Sequence, residues 1–144
     1  MAGKGDRYER RLRTMFRYAG WGCIRLAASG GGFDDDLPDL FVGKPGHYVA
    51  IEAKYRSDRD SYHYADLEEI EQVNDFADTW GVTDRLWAAR FPQDTTWYFL
   101  PVELMQTTSK SVKWSYEEVK EEWVTMDYFD LVAYNNIPDD FTAQ

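Results

Sequence analysis

Leu37-Pro38-Asp39-Leu40-Phe41-Val42-Gly43-Lys44-Pro45-Gly46-His47-Tyr48-Val49-Ala50-Ile51-Glu52-Ala53-Lys54-Tyr55 reads as two apolar strands joined by a turn. Side chains along a strand point alternately to its two faces. In residues 37–42 this sets Asp39 and Phe41 on one face and Leu40 and Val42 on the other. Lys44-Pro45-Gly46 has the residue types of a tight turn. In residues 47–55, Glu52 and Lys54 share one face while Val49, Ile51 and Ala53 take the other. Charged side chains seldom interrupt an apolar strand unless they are paired or bind a metal. Adjacent strands would therefore bring two carboxylates and an ammonium together.

Working outward, Tyr8, Leu12, Met15, Phe16 and Ala19 fall at helical spacing over residues 7–19, and Gly20 and Gly22 end that helix. Arg10, Arg13 and Arg17 form a basic stripe on a neighbouring face. Glu9 sits one turn before Leu12 and Arg13, at the edge of the buried face, from where it can reach a site beside the sheet. Residues 21–29 read as a first strand with Arg25, Ala27 and Ser29 on one face, followed by a mobile loop of three glycines and three aspartates over 30–36.

Residues 56–64 read as polar connector. An amphipathic helix over 66–80 carries Leu67, Ile70, Val73, Phe76, Ala77 and Trp80 and closes at Gly81; Glu68, Glu69 and Glu71 form its solvated face. Strands over 85–91 and 96–101 flank the turn Pro92-Gln93-Asp94. The order helix, three strands, helix, two strands predicts an α/β fold, a mixed sheet of about five strands flanked by helices. Beyond Met105 the pattern weakens, with a short helix over 116–124. Residues 106–144 are read as an extension of the 1–105 domain, either part of the same unit or a dimer contact.

Composition narrows the function classes. A chain of 144 residues is the size of one ordinary domain. Its single cysteine, Cys23, lies in an apolar run, excludes an internal disulfide and fits a reducing compartment. No apolar run has the length of a membrane span, and the polar, basic N-terminus lacks a secretory signal, so a soluble intracellular protein is expected. Two isolated histidines, His47 and His63, argue against a zinc site or a serine–histidine pair. Trp80, Trp87, Trp97 and Phe99 are expected in the core, and Tyr55, Tyr62 and Tyr64 at a DNA or dimer contact.

The net charge of −10 is unevenly placed. Residues 1–33 hold seven basic side chains (Lys4, Arg7, Arg10, Arg11, Arg13, Arg17, Arg25) against Asp6 and Glu9, a balance of +5 that leaves −15 for the rest. One polyanion-binding face on an acidic body follows. Acidity of this degree with few lysines also fits a protein adapted to high salt, where charge repulsion is screened.

Hydrolysis of a phosphodiester needs an activated water, charge neutralisation and a stabilised leaving oxyanion, all of which Mg2+ can supply through oxygen ligands. Asp39, Glu52 and the Ala53 carbonyl are the candidate ligands, with Glu9 joining directly or through a metal-bound water. Lys54 would sit by the attacking water, and Arg25 and Ser29 would hold the scissile phosphate. The residues point to a metal-dependent nuclease.

Lys4-Gly5 through Glu9-Arg10, then Gly20-Trp21, Arg25, Ser29, Pro38-Asp39 and Glu52-Ala53-Lys54 resemble archaeal Holliday junction resolvases, members of the PD-(D/E)xK nuclease superfamily. The resemblance spans residues 4–105 and implies a restriction-endonuclease-like fold and a homodimer. It implies binding of four-way DNA junctions and their cutting, with Mg2+ (or Mn2+ in its place), by paired nicks in an archaeal cell or its virus. Glu9, Asp39, Glu52 and Lys54 would then be catalytic, with Arg10, Arg25 and Ser29 supporting phosphate binding. Lys4, Arg7, Arg13 and Arg17 would complete the DNA-facing helix. The acidic net charge, the three aspartates at 34–36 and the tail beyond 105 depart from the family pattern. A repair or restriction-like nuclease of the same superfamily, or a junction-binding protein without catalysis, are the alternatives.

Overall fold

β3 (His47–Tyr55) runs through the middle of a five-stranded sheet, which is why it is apolar on both faces over most of its length. The computed structural model describes residues 4–26 and 37–127. In sequence the main elements are α1 (Lys4–Tyr18), β1 (Gly22–Arg25), β2 (Leu40–Lys44), β3, β4 (His63–Asp66), α2 (Leu67–Trp80), β5 (Asp84–Phe91) and β6 (Asp94–Pro101). The sheet order is β1-β2-β3-β5-β6, antiparallel throughout except for the parallel β3–β5 pair. That parallel step requires a crossover, and α2 supplies it.

The two faces of the sheet are covered by different helices. Leu12 and Phe16 of α1 are fully buried against Leu40, Val42, Val49 and Ile51, joined by Trp97 and Phe99. Burying each such side chain contributes about 1.5–3 kcal/mol. Val73 and Ala77 of α2 cover the opposite face, against Ala50, Trp87 and Ala89. Gly20 (φ 89°) and Gly81 (φ 71°) end the two helices in the left-handed region, where a side chain would be strained.

Residues beyond 101 add a smaller sheet. After a 3-10 turn (Val102–Leu104) come β7 (Gln106–Thr107) and β8 (Ser111–Trp114), giving the order β4-β8-β7 with antiparallel pairing. α3 (Tyr116–Glu122) follows, its first turn capped by Ser115 Oγ accepting from the Glu118 N–H. Val112, Trp114 and Val119 are buried in the same cluster as Trp87 and Phe91. Asp94 draws this segment to β6, since one carboxylate oxygen accepts from Tyr98 Oη at 2.6 Å and Tyr116 Oη at 2.8 Å. Phe99 and Val124 exchange two backbone hydrogen bonds, of 2.7 and 3.0 Å.

The mixed five-stranded sheet between helices is as expected, and β3 occupies the residues assigned to it. Three local expectations are corrected. The polar connector over 56–64 ends in β4, whose short alternating pattern (His63 and Ala65 buried, Tyr64 and Asp66 exposed) is too brief to register as a strand without β8 beside it. Trp80 is 72% exposed, its ring beside Phe76 and outside the buried core. Asp39 precedes β2 instead of lying within it. Among the described residues no helix is long and apolar enough to cross a membrane.

Candidate active site

Asp39 is fixed from both sides by backbone. Its carbonyl accepts from the Leu26 N–H at 2.9 Å, and its Oδ2 accepts from the Ala53 N–H at 2.8 Å. The β2–β3 register pairs Leu40 with Ile51, so one step further Asp39 lies opposite Glu52 and Pro38 opposite Ala53. Proline has no N–H to give the ladder. The Asp39 carboxylate takes the Ala53 N–H. The Ala53 carbonyl, which strand geometry turns toward the same side, meets no donor from Pro38. Here Pro-Asp before a strand is a device that ends the ladder and leaves oxygen atoms facing one spot.

Glu52 and Lys54 lie in register with Trp87 and Ala89, on the face that α2 covers. Glu52 is 7% exposed. Burial, then the neighbouring Asp39 charge, push its carboxyl up to about 9, so without a cation it holds a proton near neutral pH. Asp39 is also raised, by burial, although the Ala53 N–H and Lys54 oppose the rise. Burial disfavours the Lys54 ammonium, but Glu52 and Glu69 outweigh it and hold the group above its usual range. Lys54 Nζ is 3.3 Å from Glu52 Oε2 and donates a short hydrogen bond to Glu69 Oε1 of α2. The same ammonium lies 5.8 Å from the centre of the Trp87 ring.

Two adjacent buried carboxylates, one of them held protonated, are a site short of positive charge. Among the described residues no three His, Cys, Asp or Glu side chains gather around one point. Were a cation to bind here, Asp39, Glu52 and the Ala53 carbonyl would be the oxygen atoms within reach. That set suits a hard cation such as Mg2+, which keeps several of its waters.

Glu9 does not complete a three-carboxylate cluster. It belongs to α1 on the other side of the sheet, where its Oε1 lies 3.6 Å from Arg25 Nη2. Arg25 is in register with Leu40, a residue of the α1-facing core. Arg17 is also differently engaged than a DNA-facing stripe implies. Its Nε and Nη2 both donate to the Cys23 carbonyl, at 3.2 and 2.9 Å, tying the end of α1 to β1. Arg7 and Arg10 are exposed, and Arg13 is half-buried. Ser29, the 30–36 loop, residues 128–144 and the Lys4 side chain lie outside the described residues.

Two residues of this region escape a reading of the sequence. Glu69 was expected on a solvated helix face, yet α2 crosses the sheet so that Glu69 meets Lys54. Arg90 of β5 lines an open groove with Arg7, Arg10, Arg11, Thr14 and Thr95. Its guanidinium carbon stands 4.5 Å from the centre of the Tyr8 ring, which stacks on Tyr55 at 3.9 Å. Tyr55 is thereby in contact within the chain. The signal for Arg90 was its parity with Tyr55 across the β3–β5 pair.

The family model for the archaeal Holliday junction resolvase (Hjc) matches residues 1–133. The chain belongs to that family. It is 36% identical over 113 residues to the crossover junction endodeoxyribonuclease Hjc of Archaeoglobus fulgidus, a match covering 78% of this chain and 79% of the relative. To the Hjc of Sulfolobus acidocaldarius it is 30% identical over 131 residues, covering 91% and 87%. The solved structure of Archaeoglobus fulgidus Hjc, a Holliday junction resolvase, superposes with a TM-score of 0.76 at 30% identity and covers 88% of this chain and 99% of that one. A bacterial homing endonuclease shares the fold at a TM-score of 0.52 and 16% identity, covering 100% of this chain and 97% of that one. The Hjc fold of this chain is restriction-endonuclease-like.

The electrostatics of this Hjc-family site predict a trade-off. A carboxyl raised on folding weakens the folded state as pH climbs from its unfolded value, near 4.5, through about 9. Glu52→Gln removes that ionisation. In chelator the variant should melt several degrees above the parent at pH 9, with the gap closing toward pH 5; scanning calorimetry across that range measures it. A gap that does not change with pH would contradict the buried-pair account.

Proposed function

We propose that this chain is a divalent-metal-dependent endonuclease that cuts four-way DNA junctions by paired nicks in opposed strands. The observation that carries the reading is the buried Asp39–Glu52 pair with Lys54 beside it, in a chain of the Hjc family. Asp39, Glu52 and the Ala53 carbonyl would hold Mg2+, with Mn2+ as a substitute. When bound, the ion would lower the pKa of a water and neutralise phosphate charge. Lys54 places an ammonium next to that position, where it steadies the attacking water or the charge that builds on the phosphate. Glu9 stands 3.6 Å from the Arg25 guanidinium, an ion pair that would orient Arg25 for a phosphate oxygen. Ser29, outside the described residues, would add a hydroxyl to the phosphate contact.

Arg7, Arg10, Arg11 and Arg90 form the positive groove along which a DNA arm would lie, on an otherwise acidic molecule. A protein that works on DNA would act inside the cell. A four-way junction offers two equivalent strands to cut, which calls for two symmetric sites. One surface supports a homodimer. Phe41 contacts Tyr48 and Phe76 with ring centres 6.0 and 5.8 Å apart, and Phe76 meets Trp80 at 6.1 Å. Tyr48, Trp80 and nearby Ile24 are exposed, an apolar strip larger than an isolated surface residue explains.

Labelled four-way junction and matched linear duplex, incubated with Mg2+ or chelator at low and high KCl, test the substrate. Symmetric nicks in the junction alone, only with metal, are expected. Asp39→Asn should lower the rate by at least about a hundredfold while junction binding persists. Comparable cutting of the duplex would make it a nuclease of another specificity, and binding without cutting a non-catalytic junction binder. Separately, Trp80→Glu is expected to shift the sedimentation coefficient from dimer to monomer; an unchanged dimer would remove this strip as the interface.

A further inference from the structure

We propose that Glu69 is a positioning residue: from α2 it holds the Lys54 ammonium at the reacting phosphate once a cation has engaged Glu52. This rests on the nuclease reading above and goes beyond the Pro-Asp and Glu-x-Lys residues that define the site. Lys54 has three N–H donors on a flexible four-carbon stem. In the protein as it stands, Glu69 accepts from one of them and Glu52 Oε2 lies 3.3 Å away as an ion-pair partner. The two partners are not equivalent. Glu52 shares its burial with Asp39 and belongs to the cation's donor set, whereas Glu69 comes from the helix across the site and is 26% exposed in its side chain. When Glu52 turns its charge to a cation, Glu69 remains as the anionic anchor of Lys54 and directs the third N–H to the substrate side. A freely swinging ammonium would be a poorer stabiliser, because preorganised charge acts without reorganisation during the reaction.

Glu68 and Glu71, exposed on the same helix, supply the comparison. In wild-type, metal-free protein the ammonium proton–nitrogen NMR signal of Lys54, assigned by its disappearance in Lys54→Arg, should be sharp because burial and the Glu69 hydrogen bond slow its exchange. Glu69→Ala should broaden that signal beyond detection and lower kcat for junction cutting at least tenfold, with junction affinity in chelator within twofold of wild type. Glu69→Gln keeps an acceptor and should recover both the signal and most of the rate, and Glu71→Gln should change neither. Should Glu69→Ala not fold, the Gln variant decides, with a lost signal overturning the proposal. A sharp Lys54 signal in folded Glu69→Ala, or a wild-type rate, would overturn it. If wild-type protein cuts no junction, the substrate reading fails, while the NMR comparison still judges whether Glu69 anchors Lys54.

Discussion

Asp39 and Glu52 are held side by side out of water, and the surrounding fold can be understood as what it takes to keep them there. Two carboxylates in that position repel each other and lose hydration, a cost that isolated strands would avoid by turning one of them outward. The chain prevents this with the backbone. Ala53 ties Asp39 by its N–H, Leu26 ties the Asp39 carbonyl, and β3 is locked between β2 and β5. Behind them the two aromatic-rich cores stiffen both faces of the sheet. Such a pair costs stability while nothing neutralises its charge.

Charge is distributed in the same spirit. The body carries the acidic excess, and the basic residues concentrate on α1 and the facing edge of β5, where Arg90 joins them. An electrostatic path for a polyanion is thus compatible with a net charge of −10. If the molecule works in concentrated salt, counterion release adds little to binding, and the shape of the groove and the spacing of two sites in a dimer must carry more of the selectivity.

The sequence made β3 legible because a strand with period two reports faces directly. Glu52 and Lys54 share a side, and Pro38-Asp39 breaks the neighbouring ladder. It made Glu69 illegible for an equally physical reason. Helical periodicity says that Glu68, Glu69 and Glu71 lie off the apolar stripe, but not that the crossing of α2 over β3 brings the middle one against a lysine. Trp80 failed in the opposite sense. It continues the apolar period of α2, yet it stands exposed. The second sheet was hidden because β4 and β8, each four residues, are strands only through one another.

The Asp39–Glu52 pair is expected to hold a proton in place of a cation. Titration calorimetry of Mg2+ into the protein near pH 7.5, repeated in buffers of different ionisation enthalpy, counts the protons exchanged on binding. The account predicts release of close to one proton per ion, lost in Glu52→Gln. Saturable binding at this pair with no proton released would contradict it.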